Sequence, residues 1–126
     1  QLFWDLYKKT TSTMPVVLFG TGEETRDFIY IDDILQCFKL IIETGSFKGD
    51  IYNIANGEQI SIKEISDIFI KEIGYQQEIS FSGKKRIGDP LKWVANIDKI
   101  KKLGYTQQIN IHQGIKNYIK WAKDLE

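Results

Sequence analysis

The chain has 126 residues, which suits one compact domain, and its seventeen basic residues balance seventeen acidic ones. A net charge near zero excludes a broad field that attracts nucleic acid or an anionic membrane, so any anion site must be local. A single cysteine excludes an intrachain disulfide, and no apolar run could span a bilayer, so we expect a cytoplasmic protein without a membrane partner.

The first half of the chain alternates helical patterns with short apolar runs. Its predicted elements are, in chain order, a helix over residues 2–9, a strand over 16–19, a strand over 28–31, a helix to about residue 44 and a strand over 51–55. Gly20-Thr-Gly22 is predicted to be a turn. Asp32 or Asp33 is predicted to cap the second helix, which explains this pair better than a metal site does.

Capping residues define the helices of the second half. Ser61 followed by Glu64 is a capping box, and the helix after it places Ile65, Ile68, Phe69 and Ile73 on one face before ending at Gly74. A fourth strand is predicted over residues 79–81, followed by a glycine-rich basic loop over 83–90. Asn96 is predicted to cap a brief helix that stops at Gly104, and Asn110 with Gln113 to begin the last helix.

Two elements do not fit a self-sufficient domain. The helix over 33–44 is apolar around most of its circumference, and the strand over 51–55 is apolar on both faces. Too few other strands are predicted to cover them, so we expect the rest of a sheet to lie upstream of Gln1. The isolated chain should then associate as a homo-oligomer or exchange elements between copies.

The two arginines of the chain are the leading candidates for an anion site. Arg26 and Arg86 each lie near a glycine turn, and the planar fork of donors on arginine matches phosphate. Asp89 follows Arg86 closely and could accept a hydrogen bond from a ribose hydroxyl. The alternatives are an ion pair between Arg26 and Asp27, and an exposed basic loop around Arg86.

Residues for catalysis or cofactor binding are not evident. Gly20-Thr-Gly22 lacks a third glycine at Thr25 and precedes a predicted strand, so it is not a dinucleotide-binding loop. No tyrosine is followed four residues later by a lysine. Cys37 is predicted to be inert, and the three tryptophans to pack within the protein.

Six motifs follow one another in the order of a known family. They are Leu18-Phe-Gly-Thr-Gly22, Thr25-Arg-Asp-Phe-Ile-Tyr-Ile-Asp-Asp33, Tyr52-Asn-Ile-Ala-Asn-Gly57, Ser61-Ile-Lys-Glu64, Arg86-x-Gly-Asp89 and Leu103-Gly-Tyr105. Together they resemble the C-terminal part of the extended short-chain dehydrogenases/reductases, the NAD-dependent sugar-nucleotide epimerases and dehydratases that include UDP-glucose 4-epimerase.

The resemblance implies roles for the matching residues. Arg26 and Arg86 correspond to the arginines that contact the nucleotide diphosphate, and Asp89 to the residue near the ribose. Val17 and Phe19 lie on the strand whose backbone meets the nucleobase. The glycine-rich loop that binds NAD and the catalytic tyrosine–lysine pair lie upstream in the family, so no cofactor is expected on this part.

We therefore predict an α/β protein, with an α+β arrangement of about five helices and four short strands in residues 1–126. These residues form one C-terminal domain that binds a nucleotide-diphosphate sugar, and the N-terminal NAD-binding Rossmann domain is absent. The full-length protein is then an enzyme, and this part alone is inactive. The alternative is a non-catalytic α/β binding or interaction module. The base, the sugar, and the choice between epimerase and dehydratase remain open.

Overall fold

The structure, a computed structural model, describes residues 2–12, 15–84 and 87–125. Five helices and four strands lie within these ranges, as the predicted fold class requires. They are α1 (Leu2–Thr10), β1 (Val17–Leu18), β2 (Thr25–Arg26), α2 (Ile31–Thr44), β3 (Ile60–Ser61), α3 (Ile62–Ile73), β4 (Ser80–Phe81), α4 (Asp98–Lys101) and α5 (Ile111–Lys123).

The strands form two small sheets. In the first, β1 runs parallel to β4, with Val17 opposite Ser80 and Leu18 opposite Phe81. In the second, β2 runs antiparallel to β3, with Thr25 opposite Ser61. Each sheet joins a segment near the N-terminus to a segment that lies far away along the chain.

The main core lies where α1, α3 and α5 pack together. Its buried side chains come from all three helices and from the segment around β1: Leu6, Tyr7, Val16, Leu18, Ile65, Phe69, Ile115, Ile119 and Ala122. The predicted apolar faces of α3 and α5 therefore supply this core.

The predicted helix ends are confirmed for α3 and α5. The side chain of Ser61 accepts a hydrogen bond from the Glu64 N–H (3.0 Å), and the side chain of Asn110 accepts one from the Gln113 N–H (2.9 Å). Gly74 ends α3 in the left-handed conformation, at φ 81°.

The start of α2 differs from the prediction. The helix begins at Ile31 after Tyr30, so Asp32 and Asp33 lie inside its first turn and neither caps it. Asp33 is 1% exposed, and its carboxylate accepts hydrogen bonds from the N–H groups of Gln108 (2.9 Å) and Ile109 (3.1 Å). It joins α2 to the loop before α5, beside a second core cluster formed by Cys37, Ala55, Ile97, Ile100 and Tyr105.

Two predicted strands are wrong. Residues 28–30 form no strand, because Phe28 and Ile29 pack against the two cores, and the pairing lies at β2 instead. Residues 51–55 form no strand either, and Ile51 is 83% exposed. The exposed apolar face of α2 is confirmed, since Ile31, Leu35, Phe38 and Ile42 are 51–69% exposed.

Candidate functional site

A groove of about 760 Å³ opens beside the first sheet. It lies between α1, the end of β1, β2 and the loop after β4. The described residues that line it are Leu2, Trp4, Asp5, Lys8, Leu18, Phe19, Gly20, Glu24, Arg26, Phe28, Ile62, Lys84, Asp89 and Leu91. Cationic, anionic and aromatic side chains thus meet around one concave surface.

Three of the five predicted site residues line this groove: Phe19, Arg26 and Asp89. Val17 lies on the same strand as the groove residue Leu18, but it is not part of the lining. Its carbonyl oxygen accepts a hydrogen bond from the Lys9 ammonium group (3.0 Å). Arg86 lies outside the described residues.

Arg26 is held at the groove by backbone carbonyls. Its Nη1 donates hydrogen bonds to the oxygens of Thr25 (2.8 Å) and Pro90 (2.8 Å), and its guanidinium carbon lies 6.0 Å from the ring centroid of Trp93. Within the described residues the guanidinium forms no ion pair, so the alternative pairing with Asp27 is not present. Its positive charge is therefore not neutralised by an ion pair among the described residues.

Asp27 is a functional candidate that the sequence analysis missed. Its Oδ1 accepts hydrogen bonds from the N–H groups of Asn56 (2.9 Å) and Gly57 (3.2 Å), and its Oδ2 accepts from those of Gly57 (3.0 Å) and Ala95 (3.1 Å). The residue next to Arg26 thus joins two loops from distant parts of the chain. No sequence pattern signals this role, because the partners are backbone amides.

The glycine turn before Arg26 is held by Glu24. The carboxylate of Glu24 accepts hydrogen bonds from the N–H groups of Thr21 (3.1 Å) and Gly22 (2.9 Å) and from the Thr21 hydroxyl (3.1 Å). Burial raises the pKa of Glu24, but the hydrogen bonds from its own backbone N–H, Thr21 and Gly22 outweigh it and leave the pKa lowered.

That turn does not fit a dinucleotide. The N–H groups of Thr21 and Gly22 already donate to Glu24, and β2 rather than a helix follows, so the turn offers no helix N-terminus to a pyrophosphate. A Cβ atom on Gly22, whose φ is +86°, would lie 2.9 Å from the Phe81 ring. Close packing and backbone conformation therefore explain this glycine.

Two of the tryptophans that are predicted to pack lie at or near the groove: Trp4 stacks on Tyr7, and Trp93 lies outside the groove lining. Trp4 lines the groove, and the Lys8 ammonium group lies 5.3 Å from its ring centroid. Trp93 is 58% exposed beside the Arg26 guanidinium. Their positions on an exposed helix face and in a surface loop depend on tertiary structure, which the sequence pattern did not reveal.

Two buried groups outside the groove have raised pKa values. Burial and, to a lesser extent, the charge of Asp33 raise the pKa of the Cys37 thiol, in line with its predicted inertness. Burial, with smaller contributions from Asp33, Cys37 and Asp27, raises the pKa of Tyr105 to about 12. Among the described residues there is no cluster of three potential metal ligands and no helix long and apolar enough for a membrane span.

Comparison with known proteins identifies the family. The model of the GDP-mannose 4,6 dehydratase family matches residues 6–118. The chain belongs to this family. The resemblance to the extended short-chain dehydrogenases/reductases is thereby confirmed.

Two proteins similar to the chain are named as nucleotide-sugar epimerases. A putative UDP-glucose 4-epimerase from Methanocaldococcus jannaschii is 32% identical over 108 residues, which are 86% of this chain and 34% of that protein. A UDP-glucuronate 4-epimerase from Thermodesulfobacterium geofontis is 32% identical over 112 residues, covering 87% of this chain and 34% of that protein.

The fold matches solved structures of the family. The UDP-glucuronic acid 4-epimerase from Bacillus cereus, in complex with UDP-glucuronic acid and NAD, superposes with a TM-score of 0.88 at 30% identity. The match covers 100% of this chain and 40% of that one. The chain thus spans about a third of the length of the curated relatives that it matches.

Proposed function

We propose that this chain is the nucleotide-sugar-binding part of an NAD-dependent sugar-nucleotide epimerase or dehydratase. One observation carries the proposal: Phe19, Arg26 and Asp89, which lie far apart in the sequence, line the same groove. The family supports it, because the similar proteins are named as epimerases of UDP-glucose and UDP-glucuronate.

In this proposal Arg26 binds the diphosphate. One of its terminal nitrogens is occupied by the carbonyls of Thr25 and Pro90, which orients the guanidinium and leaves its other N–H groups for phosphate oxygens. Such charge-assisted hydrogen bonds contribute about 1.5–3 kcal/mol each. Arg86 supplies the second guanidinium.

The remaining residues of the groove bind the nucleoside. Asp89 accepts a hydrogen bond from a ribose hydroxyl, and the backbone at Val17 and Phe19 contacts the base. Lys8 and Lys84, which also line the groove, add positive charge near the phosphates. The groove then contributes orientation, because it fixes the nucleotide and leaves the sugar directed toward the reacting groups.

The chemistry is assigned to another part of the full-length protein. We place NAD and the catalytic tyrosine in an N-terminal Rossmann domain that precedes residues 1–126, and the nicotinamide accepts and returns a hydride there. The solved Bacillus cereus relative contains both UDP-glucuronic acid and NAD, which supports this division. The exposed apolar face of α2 is the surface proposed to pack on that domain.

Calorimetric titration of the full-length protein tests the proposal. We expect it to bind at least one of UDP-glucose, UDP-glucuronic acid and GDP-mannose, and Arg26→Ala to weaken that affinity at least tenfold. Lys116→Ala, which removes an exposed positive charge on α5, is the matched control and should leave the affinity unchanged. Equal affinity of the Arg26→Ala variant and the wild type, or no binding of any of the three ligands, would contradict the proposal.

A further inference from the structure

Residues 25–27 hold the segment over 90–95 at both of its ends. At the first end, the Thr25 N–H donates to the Leu91 oxygen (2.8 Å) and Arg26 Nη1 donates to the Pro90 oxygen (2.8 Å). At the other end, the Ala95 N–H donates to the Asp27 carboxylate (3.1 Å). The exposed side chains of Lys92, Trp93 and Val94 lie between these anchors.

This segment carries the groups that orient Arg26. Its Pro90 carbonyl accepts from the guanidinium, its Trp93 ring lies beside the guanidinium, and Asp89 immediately precedes it at the groove. A segment anchored at both ends has less conformational freedom than one anchored at a single end. Without the anchor at Asp27 the segment would be held only at the end near Pro90 and Leu91.

The Asp27 anchor is itself fixed to a third part of the chain. The same carboxylate accepts from the N–H groups of Asn56 and Gly57, at the turn that leads toward β3. An ionised carboxylate binds backbone N–H groups more strongly than a neutral acceptor does. Among the described residues no cation pairs with Asp27, so these amides hold it in place.

We propose that Asp27 is a positioning residue for diphosphate binding, which acts through the segment over 90–95 on the guanidinium of Arg26. This inference rests on the proposed function of the groove. Asp27 need not contact the nucleotide, since its oxygens are directed at backbone amides.

The substitution Asp27→Asn tests this role with little change in shape. The amide keeps one acceptor oxygen, but its NH2 group then faces backbone N–H groups that need an acceptor. Asp33→Asn is a matched control, because Asp33 is also an aspartate with two backbone N–H partners, at Gln108 and Ile109. Asp33 is more deeply buried, and its partners lie outside the segment over 90–95.

The experiment measures UDP-glucose affinity and melting temperature for the full-length wild type and for both variants. We expect Asp27→Asn to weaken UDP-glucose binding about tenfold, the effect of one lost charge-assisted hydrogen bond. Asp33→Asn should lower the melting temperature at least as much and change the affinity less than twofold. If the Asp27→Asn variant does not fold, Asp27→Glu is measured instead. This substitution keeps the charge and both oxygens, so the expected loss of UDP-glucose affinity is smaller.

A double-mutant cycle separates positioning from general destabilisation. If Asp27 acts through Arg26, the Arg26→Ala, Asp27→Asn double variant binds UDP-glucose as weakly as Arg26→Ala alone. Additive losses, or wild-type affinity in the folded Asp27 variant, would overturn the inference. If the wild type does not bind UDP-glucose, the same cycle is run with UDP-glucuronic acid or GDP-mannose, whichever it binds. If it binds none of the three, or if Arg26→Ala binds the chosen ligand as the wild type does, then the proposed function itself fails.

Discussion

At the scale of single residues, carboxylates that accept from backbone N–H groups determine the shape of the groove and its supports. Glu24 holds the turn over 20–22, Asp27 joins two loops, and Asp33 joins α2 to the loop before α5. Each carboxylate supplies a hydrogen-bond acceptor to backbone N–H groups that have none within a helix or a sheet. The loops around Arg26 are therefore fixed by side chains as much as by secondary structure.

Glu24→Gln tests this at the turn. The variant should lose about 1 kcal/mol of unfolding free energy at neutral pH, because a neutral amide replaces a charged acceptor of several hydrogen bonds. Urea unfolding measures the loss. Glu23→Gln is the matched control, since Glu23 is exposed and no hydrogen bond of its carboxylate is recorded among the described residues.

The stabilisation that Glu24 provides should also depend on pH. The pKa of Glu24 is lower in the folded protein than its ordinary value of 4.5, so its stabilising contribution is present above that value. The contribution is lost as the pH falls through the folded pKa. The difference in unfolding free energy between the wild type and Glu24→Gln should therefore shrink in acid. A constant difference down to about pH 3 would contradict the assigned role of the Glu24 carboxylate.

Candidate site residues could be proposed from the chemistry of their side chains but not from their contacts. Arg26 and Asp89 could be proposed because arginine and aspartate near glycine turns suit a nucleotide. Asp27 and Asp33 could not be assigned, because their amide partners lie 29–30, 68 and 75–76 residues away. Only tertiary structure brings such amides to a carboxylate.

At the scale of elements, the strand that carries Arg26 is linked to the capped helix α3. β3 leads directly into α3, and Ser61 both pairs with Thr25 of β2 and caps α3. The strand that carries Arg26 is thus connected to the start of a helix in the main core.

Ser61→Ala should therefore destabilise the protein by about 1 kcal/mol, since the N–H of Glu64 loses its acceptor. Ser61→Asp keeps an acceptor at this position and should retain nearly all of the wild-type stability. The urea midpoint of unfolding measures both variants. If Ser61→Asp were as unstable as Ser61→Ala, the cap would not explain the effect.

Helices were predicted more successfully than strands for a physical reason. α2, α3 and α5 have 12–14 residues, enough turns for a periodic apolar face, and α3 and α5 also carry side-chain caps. Each strand has two residues, too few to show alternation, and its partner lies far along the chain. The apolar run over 28–31 is predicted to be a strand, but Phe28 and Ile29 pack against the two cores and Ile31 begins α2.

At the scale of the whole molecule, α2 is notable because one side of it carries several exposed apolar side chains. Its inner side contributes Cys37 to the second core cluster, while Leu35, Phe38 and Ile42 on its other side are exposed. An apolar stripe of this kind is typical of a surface that another protein segment covers. The fold class and this exposed stripe were both predictable from the pattern of α2.

The isolated chain should consequently self-associate through α2. Replacing Leu35 and Phe38 by serine should reduce association, because it removes apolar surface at little cost to the packed core. Lys39→Ser on the same helix, also exposed, is the control. Sedimentation velocity at high protein concentration measures the association state of each variant. A strictly monomeric wild-type chain would contradict the predicted self-association.

The central claim is that the groove at Arg26 holds the diphosphate of a nucleotide sugar. A crystal structure of the full-length protein with UDP-glucose tests it most directly. We expect diphosphate oxygens within about 3 Å of the Arg26 guanidinium, with the ribose beside Asp89. A nucleotide bound elsewhere, with the Arg26 guanidinium still contacting only protein groups, would contradict it.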